Sequence, residues 1–297
     1  MFASKSIKIT PGLLIKLCEI DEFKGFWTGL ETHSTGLRVL REVAEYGGNF
    51  KQILGPLKGR PLDAPTLCAL YGALTKEKPV FKSEDNTLPV MRGNDVVGEL
   101  ETVPADQVPD LMVKLTAWLD DALRDKDVHP LVAMAMFTAV FLQIAPFAKD
   151  NFKMARFVMT VLMLKSGYSY AAYIPLERIM NERAEILYQA LQINQKSLEQ
   201  GAPDWAPWLE CCLAILLDQK NALKARLYEK EKDVSHLPSL SGKILKLFEH
   251  HNRLQMKQIV KLTNGRRSTI KLRLGEMVDQ GYVKRYGTAR ATWYSLV

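Results

Sequence analysis

The sequence predicts a mainly helical protein: a helical body over residues 1–228, broken by one short β-hairpin, followed by a small basic domain. Three observations carry this. Apolar residues recur at helical spacing along most of the body. Strand-like composition in the body is confined to Val90–Val103. The charge is unevenly spread: from Pro238 to Val297 six Lys and six Arg face three acids (Glu249, Glu276, Asp279), a net +9, against +7 for the whole chain and so −2 for the rest.

With 297 residues, 47% apolar and 25% charged, the chain has the balance of a globular protein that buries a sizeable core. Wholesale disorder and fibrous repeats are excluded. The four cysteines, Cys18, Cys68, Cys211 and Cys212, form no C-x-x-C pair, so neither a disulfide framework nor a cysteine zinc site is expected. The start, MFASKSIKIT, has no apolar signal core, and a cytoplasmic location is expected. Residues 129–148 carry no formal charge, but Pro130 and Pro146 leave an apolar run shorter than the roughly 20 residues of a spanning helix. A helix apolar all round is expected at the centre of a large helical domain, away from any membrane.

Along the body, Leu111, Leu115, Trp118, Leu119 and Ala122 mark one helix. Asp127 and His129 before Pro130 mark the first turn of the next. Lys153–Lys165 stops at Ser166-Gly167. Arg183–Gln192 and Trp205–Leu217 are helical again, and Gly93-Asn94-Asp95 with β-branched neighbours predicts the hairpin. The polar stretch Glu229–Ser241, with Pro238, is read as the join.

In the tail, Ile244, Leu245, Leu247 and Phe248 give one amphipathic helix, and Met256, Ile259, Val260 and Leu262 a second. Thr263-Asn264-Gly265 is a turn. Over Arg266–Gln280, Ile270, Leu274, Met277 and Val278 form a buried face. Gly281 ends that helix, and Tyr282–Tyr286 and Thr292–Leu296 pair as a hairpin. Helix, helix, turn, helix, hairpin resembles the winged helix-turn-helix family. That resemblance puts Arg266, Arg267, Ser268 and Thr269 at base edges in the major groove, and Lys271, Arg273, Lys284, Arg285 and Arg290 at phosphates. The alternative is a protein-binding winged helix with a solvated basic face; the local charge favours double-stranded DNA. Trp293 and Tyr294 are expected to pack the hairpin.

Between two body helices lies Ala145-Pro146-Phe147-Ala148-Lys149-Asp150-Asn151-Phe152-Lys153-Met154-Ala155-Arg156. This stretch resembles the Fic family, whose motif is H-P-F-x-[D/E]-G-N-G-R-x-x-R and which transfers AMP from ATP to protein hydroxyls. Pro146, Phe147, Asn151 and Arg156 agree. The surroundings follow the family's order. A flap hairpin at Val90–Val103 precedes Val108–Met112 and His129-Pro130-Leu131. Ser166-Gly167-Tyr168, Asn181-x-Arg183 with Tyr188, and Asp204-Trp205-x-x-Trp208-Leu209 come after. Asp21-Glu22-Phe23-Lys24-Gly25-x-Trp27 is similar to the opening of the subgroup with an N-terminal inhibitory helix. The resemblance covers roughly residues 8–220, and with the tail it divides the chain into four parts: an N-terminal helical region at 1–90, a Fic-like core at 91–228, a linker at 229–240 and the winged helix at 241–297.

The resemblance also says what is missing. The family His is a general base, and its position holds Ala145. The family acid binds magnesium on the nucleotide phosphates, and its position holds Lys149, which repels the ion. The two glycines let backbone N–H groups approach phosphate; Asp150 and Phe152 replace them. Lys153 replaces the first arginine and lacks its bidentate fork. Removing one oxyanion-type donor alone costs about 10²–10³ in rate, so loss of AMP transfer is expected, with Asn151 capping a helix and Arg156 pairing with Asp150 or another acid. The inhibitory signature S-S-x-x-I-E-G has its nearest match at Asn49–Gly55, with Leu54 at the position of the glutamate.

The leading expectation is a catalytically defective Fic-type protein that regulates transcription or acts as an adaptor by binding DNA, with no cofactor, the body serving for dimerisation, a protein partner or a ligand. The alternative is an active adenylyl, nucleotidyl or phosphocholine transferase using ATP and magnesium through an atypical loop. A further alternative is an antitoxin-like partner of an active Fic protein.

Overall fold

The computed structural model describes residues 7–32, 61–124, 128–235, 238–248, 251–288 and 292–296. They form two compact units, one from 7–25 and 61–222, the other from 26–32 and 223–296. In chain order the elements are α1 (Pro11–Thr32), α2 (Ala64–Thr75), β1 (Thr87–Arg92), β2 (Asp95–Glu101), a 3-10 turn at Ala105–Gln107, α3 (Val108–Arg124), α4 (Pro130–Ile144), α5 (Asn151–Lys165), a second 3-10 turn at Ser169–Ala172, α6 (Leu176–Glu182), α7 (Ala184–Glu199), α8 (Ala206–Ser235), α9 (Ser239–Leu247), β3 (Leu254–Gln255), α10 (Met256–Thr263), α11 (Arg267–Asp279), β4 (Val283–Tyr286) and β5 (Trp293–Leu296). The protein is mainly helical with a small antiparallel hairpin, as its sequence predicts.

α4 is the axis of the first unit. Every residue from Leu131 to Ile144 is buried, because a helix with no polar face must be enclosed on all sides. It packs between α3 and α5, with α7 also against it. Its polar groups are satisfied internally: Thr138 Oγ1 donates to Met134 O at 2.8 Å, Gln143 Nε2 to Asn194 Oδ1 at 2.8 Å, and Trp208 Nε1 to Ala135 O at 2.6 Å. Pro130 occupies the first turn, where its missing N–H is no loss, and His129 caps it by accepting from Leu131 N at 3.2 Å. His129 Nε2 also meets Asp21 Oδ2 at 3.0 Å, and Tyr168 Oη donates to Asp21 Oδ1 at 2.5 Å, which fixes α1 against the start of α4. Among the described residues no helix is long and apolar enough to cross a membrane.

Three sequence expectations shift. The hairpin begins at Thr87, so a boundary at residue 90 falls inside β1. The polar stretch expected to be a linker continues α8 through Ser235, because Glu and Lys propagate a helix well when Gly and Pro are absent. A short strand, β3, precedes α10 and pairs with β5, giving a sheet in the order β3-β5-β4. Two residues are too few to show alternation in a sequence.

In the second unit α9, α10 and α11 enclose a core of Ile244, Leu245, Phe248, Leu254, Ile259, Ile270, Leu274, Met277, Val283 and Tyr294. Val278 is half-buried at its edge, and Leu262, expected on the buried face of α10, is exposed. Asn264, with φ 51°, ends α10, and Gly265 sits where a Cβ would press on the Ile270 side chain at 3.1 Å, so the turn into α11 is tightly packed there.

Candidate functional site

A cleft of the first unit, about 380 Å³, opens between β1, the loop from Ala148 to Lys153, and α6. Lys149, Asp150, Lys153, Arg156 and Glu177 all line it, so five of the residues that could meet a ligand are charged.

The loop is built from the inside outward. α4 ends at Ala145, whose φ of 43° turns the chain sharply while its N–H still donates to Phe141 O. Ala145 is fully buried and does not reach the cleft. Phe147 fills the space beneath, stacked on Tyr71 with ring centroids 3.9 Å apart. Asn151 closes the turn: Phe147 N donates to its Oδ1 at 3.0 Å, and its Nδ2 donates to Phe147 O at 2.7 Å. The expectation that Asn151 caps a helix is therefore corrected. The cap position of α5 is Asp150, which makes no side-chain cap bond, and the Asn151 carboxamide serves the loop backbone instead.

Lys82 supports the loop from below. It is 5% exposed, and its ammonium donates to Asn86 Oδ1 at 2.7 Å, Thr102 Oγ1 at 2.8 Å and Ile144 O at 3.2 Å, while its backbone N–H donates to Pro146 O at 2.8 Å. Burial holds its pKa below the ordinary lysine value, opposed by Asp85. Asn86 Nδ2 adds a bond to Phe147 O at 3.1 Å. No periodicity points to Lys82, Asn86 or Thr102; they act because the fold brings them under the loop from distant positions.

At the rim, Lys149 Nζ lies 2.8 Å from Glu77 Oε1, and that hydrogen bond holds the ammonium above its usual pKa. Asp150 has φ 61°, the left-handed conformation that favours glycine, at the position where the resembling motif has glycine. The backbone geometry is thus present without the residue that adopts it freely. Phe152, half-buried, is the second residue of α5, and Lys153 is exposed. The Arg156 side chain is 19% exposed, and its partner is Glu177 at 3.4 Å, with burial pulling its pKa down and Glu177 opposing. Asp150 contributes only charge at a distance.

The hairpin forms one wall. Gly93 (φ 61°) allows its two-residue turn. The Tyr188 ring lies flat on Gly98 of β2, where any Cβ would collide with it. An Arg92–Glu185 ion pair and a bond from Gln195 Nε2 to Glu101 O at 3.0 Å tie the hairpin to α7. Among the described residues no group of three or more His, Cys, Asp or Glu could hold a metal. Residues 49–55, with Leu54, lie outside the described residues, as does Arg290.

In the second unit Arg266, Arg267, Ser268 and Lys271 are exposed and Thr269 is half-buried, while Ile270, Leu274 and Met277 face inward. Arg273, expected at a phosphate, is engaged by Glu276 at 2.7 Å. Lys284 and Arg285 are exposed on β4. Trp293 stacks on Tyr286, centroids 4.2 Å apart, and Tyr294 is in the core, so both pack the hairpin.

Residues 61–163 match the family model described as Fic/DOC. The chain resembles the crystal structure of a Fic family protein from Desulfovibrio desulfuricans G20, with 21% identity, 98% of this chain and 97% of that one covered, and a TM-score of 0.54. It is also similar to a Fic domain containing signaling protein from Bacteroides thetaiotaomicron VPI-5482, with 17% identity, 65% and 71% covered, and a TM-score of 0.45. No curated protein matches. At 21% identity the first likeness shows a shared fold.

Proposed function

We propose that this chain is a DNA-binding regulator whose Fic-type body no longer transfers AMP. The observation that carries the DNA reading is the outward face of α11. Arg267, Ser268 and Lys271 are exposed there, Ile270, Leu274 and Met277 anchor the opposite side, and the residues from Pro238 onward carry a net +9. The order α9, α10, α11, β4, β5, with β3 completing the sheet, suits a winged helix that lays α11 in the major groove. Lys284 and Arg285 then stand where a wing meets phosphates.

The loop supports the other half of the proposal. A transferase of this type needs a proton acceptor beside the acceptor hydroxyl. Ala145 has none and is buried away from the cleft. The donor set is poor for magnesium as well: Lys149 carries a like charge, Glu77 is bound to Lys149, Glu177 is bound to Arg156, and Asp150 is left as a single carboxylate. The direct test is fluorescence polarisation of labelled duplex DNA with the full chain at several salt concentrations. Binding that weakens steeply with salt is expected; absent binding at low salt, or binding indifferent to salt, overturns the proposal.

One observation favours a second reading, an active transferase with an atypical loop. Arg156 still faces the cleft, and Asp150 keeps the left-handed backbone. Labelling of the chain or a lysate protein from ATP that disappears in Arg156→Ala or Lys153→Ala would establish it.

A further inference from the structure

We propose that Leu272 is a specificity-determining residue of the DNA site, reading the C5 methyl group of a thymine in the major groove. The inference rests on the DNA-binding reading above and adds to it a base and a side chain.

The outward stripe of α11 consists of Arg267, Ser268, Lys271, Leu272 and Gly275, all exposed. Their spacing places them on one face of a helix with 3.6 residues per turn. Two of the five differ from the rest of the stripe. Leu272 is 59% exposed amid cations, although Ile270, Leu274 and Met277 already supply the buried side of the helix. Gly275 sits inside the helix, where glycine is a weaker helix former than alanine. No positive φ requires it, and a Cβ there would meet nothing within 4 Å. A glycine that weakens the helix without a packing reason, one turn from an apolar side chain set among cations, suits a surface kept for a partner.

The chemistry of the stripe selects that partner. Arg267 has no acidic partner among the described residues and can give two parallel hydrogen bonds to the major-groove edge of a guanine. A leucine can neither donate nor accept, and the one apolar group that base pairs of unmodified DNA present in the major groove is the thymine methyl. The bare backbone at Gly275 lets the helix approach closely one turn further along. The surrounding charge suits a polyanion: Lys271 on the same stripe and Lys284 and Arg285 on β4 are all exposed.

The test uses the full chain. Duplexes that bind best are selected from a randomised pool, and each thymine of the selected site is then replaced by uracil, which removes the methyl and nothing else. One thymine position per protein copy is expected to show a Kd about fourfold weaker on replacement, the effect of burying one methyl group. Leu272→Ala, at an exposed position that leaves the core intact, is expected to bind thymine and uracil duplexes equally while keeping the wild-type salt slope. Arg285→Ala is the control; it weakens both duplexes alike. Salt-dependent binding with no thymine–uracil difference at any position overturns this inference alone. A thymine preference that survives in Leu272→Ala does the same. Absence of salt-dependent binding removes the DNA reading and this inference with it.

Discussion

The carboxamide of Asn151 and the backbone of Phe147 hydrogen-bond each other in both directions, at 3.0 and 2.7 Å, inside a turn that is otherwise buried against Tyr71. This pair, with Lys82 beneath it, sets the shape of the loop independently of any chemistry at its rim. A residue shared with a catalytic motif is here accounted for by backbone satisfaction.

Asn151→Ala leaves the Phe147 N–H buried without an acceptor and removes a donor from its carbonyl. A stability loss of about 2–4 kcal/mol is expected, read from urea unfolding midpoints, with any ligand affinity of the cleft falling in parallel because the loop is no longer held. A loss under about 0.5 kcal/mol would show that the loop does not depend on this pair.

Asp150→Gly tests the left-handed backbone. At φ 61° a non-glycine residue is strained by roughly 1–2 kcal/mol. Glycine relieves that strain but loses more chain entropy on folding. A net gain of about 0.5–1 kcal/mol is expected, seen as a higher melting temperature. An unchanged or lower melting temperature refutes the strain argument.

Gly98→Ala drives a methyl group into the Tyr188 ring. Overpacking of this kind costs about 1–3 kcal/mol. Combining it with Tyr188→Ala is expected to give a smaller loss than the two single changes summed, because the collision partner is gone. Strict additivity in a thermal-unfolding cycle would mean the two residues do not meet.

The alkaline limb of stability has an assignable source. Burial pushes the Cys211 thiol up to about 11, with Arg183 pulling the other way, and pushes Cys212 higher still. In the unfolded chain these thiols ionise near 9. Because the folded pKa is raised, the stability they contribute is complete below pH 9 and is lost as the pH climbs to 11. About 2 kcal/mol should disappear across that window on account of Cys211. Cys211→Ala is expected to flatten the slope of unfolding free energy between pH 9 and 11, and an identical slope would assign it elsewhere.

For the DNA reading, Lys284→Ala and Arg285→Ala are each expected to reduce the slope of log K against log salt by about 1 without changing which sequence binds best. A change of preferred sequence at constant slope would place these side chains at bases instead of phosphates.

Much of this protein is written locally. The uncharged stretch of α4 dictates a fully enclosed helix, because it offers water no polar face. Gly93-Asn94 fixes the hairpin turn, and the spacing of Ile270, Leu274 and Met277 fixes which face of α11 is hidden and which is presented. That residue 145 is an alanine, with no titratable group, is a fact of sequence alone. Tertiary structure decided the rest. Glu177 rather than Asp150 partners Arg156, Glu77 takes Lys149, and Lys82, some sixty residues before the loop, carries it. β3 exists only because β5 is there to pair with it. The physical reason is the range of the forces: periodicity and turn preference act within a few residues, whereas ion pairs and hydrogen bonds join whatever the packed core brings within about 3 Å, at any separation along the chain.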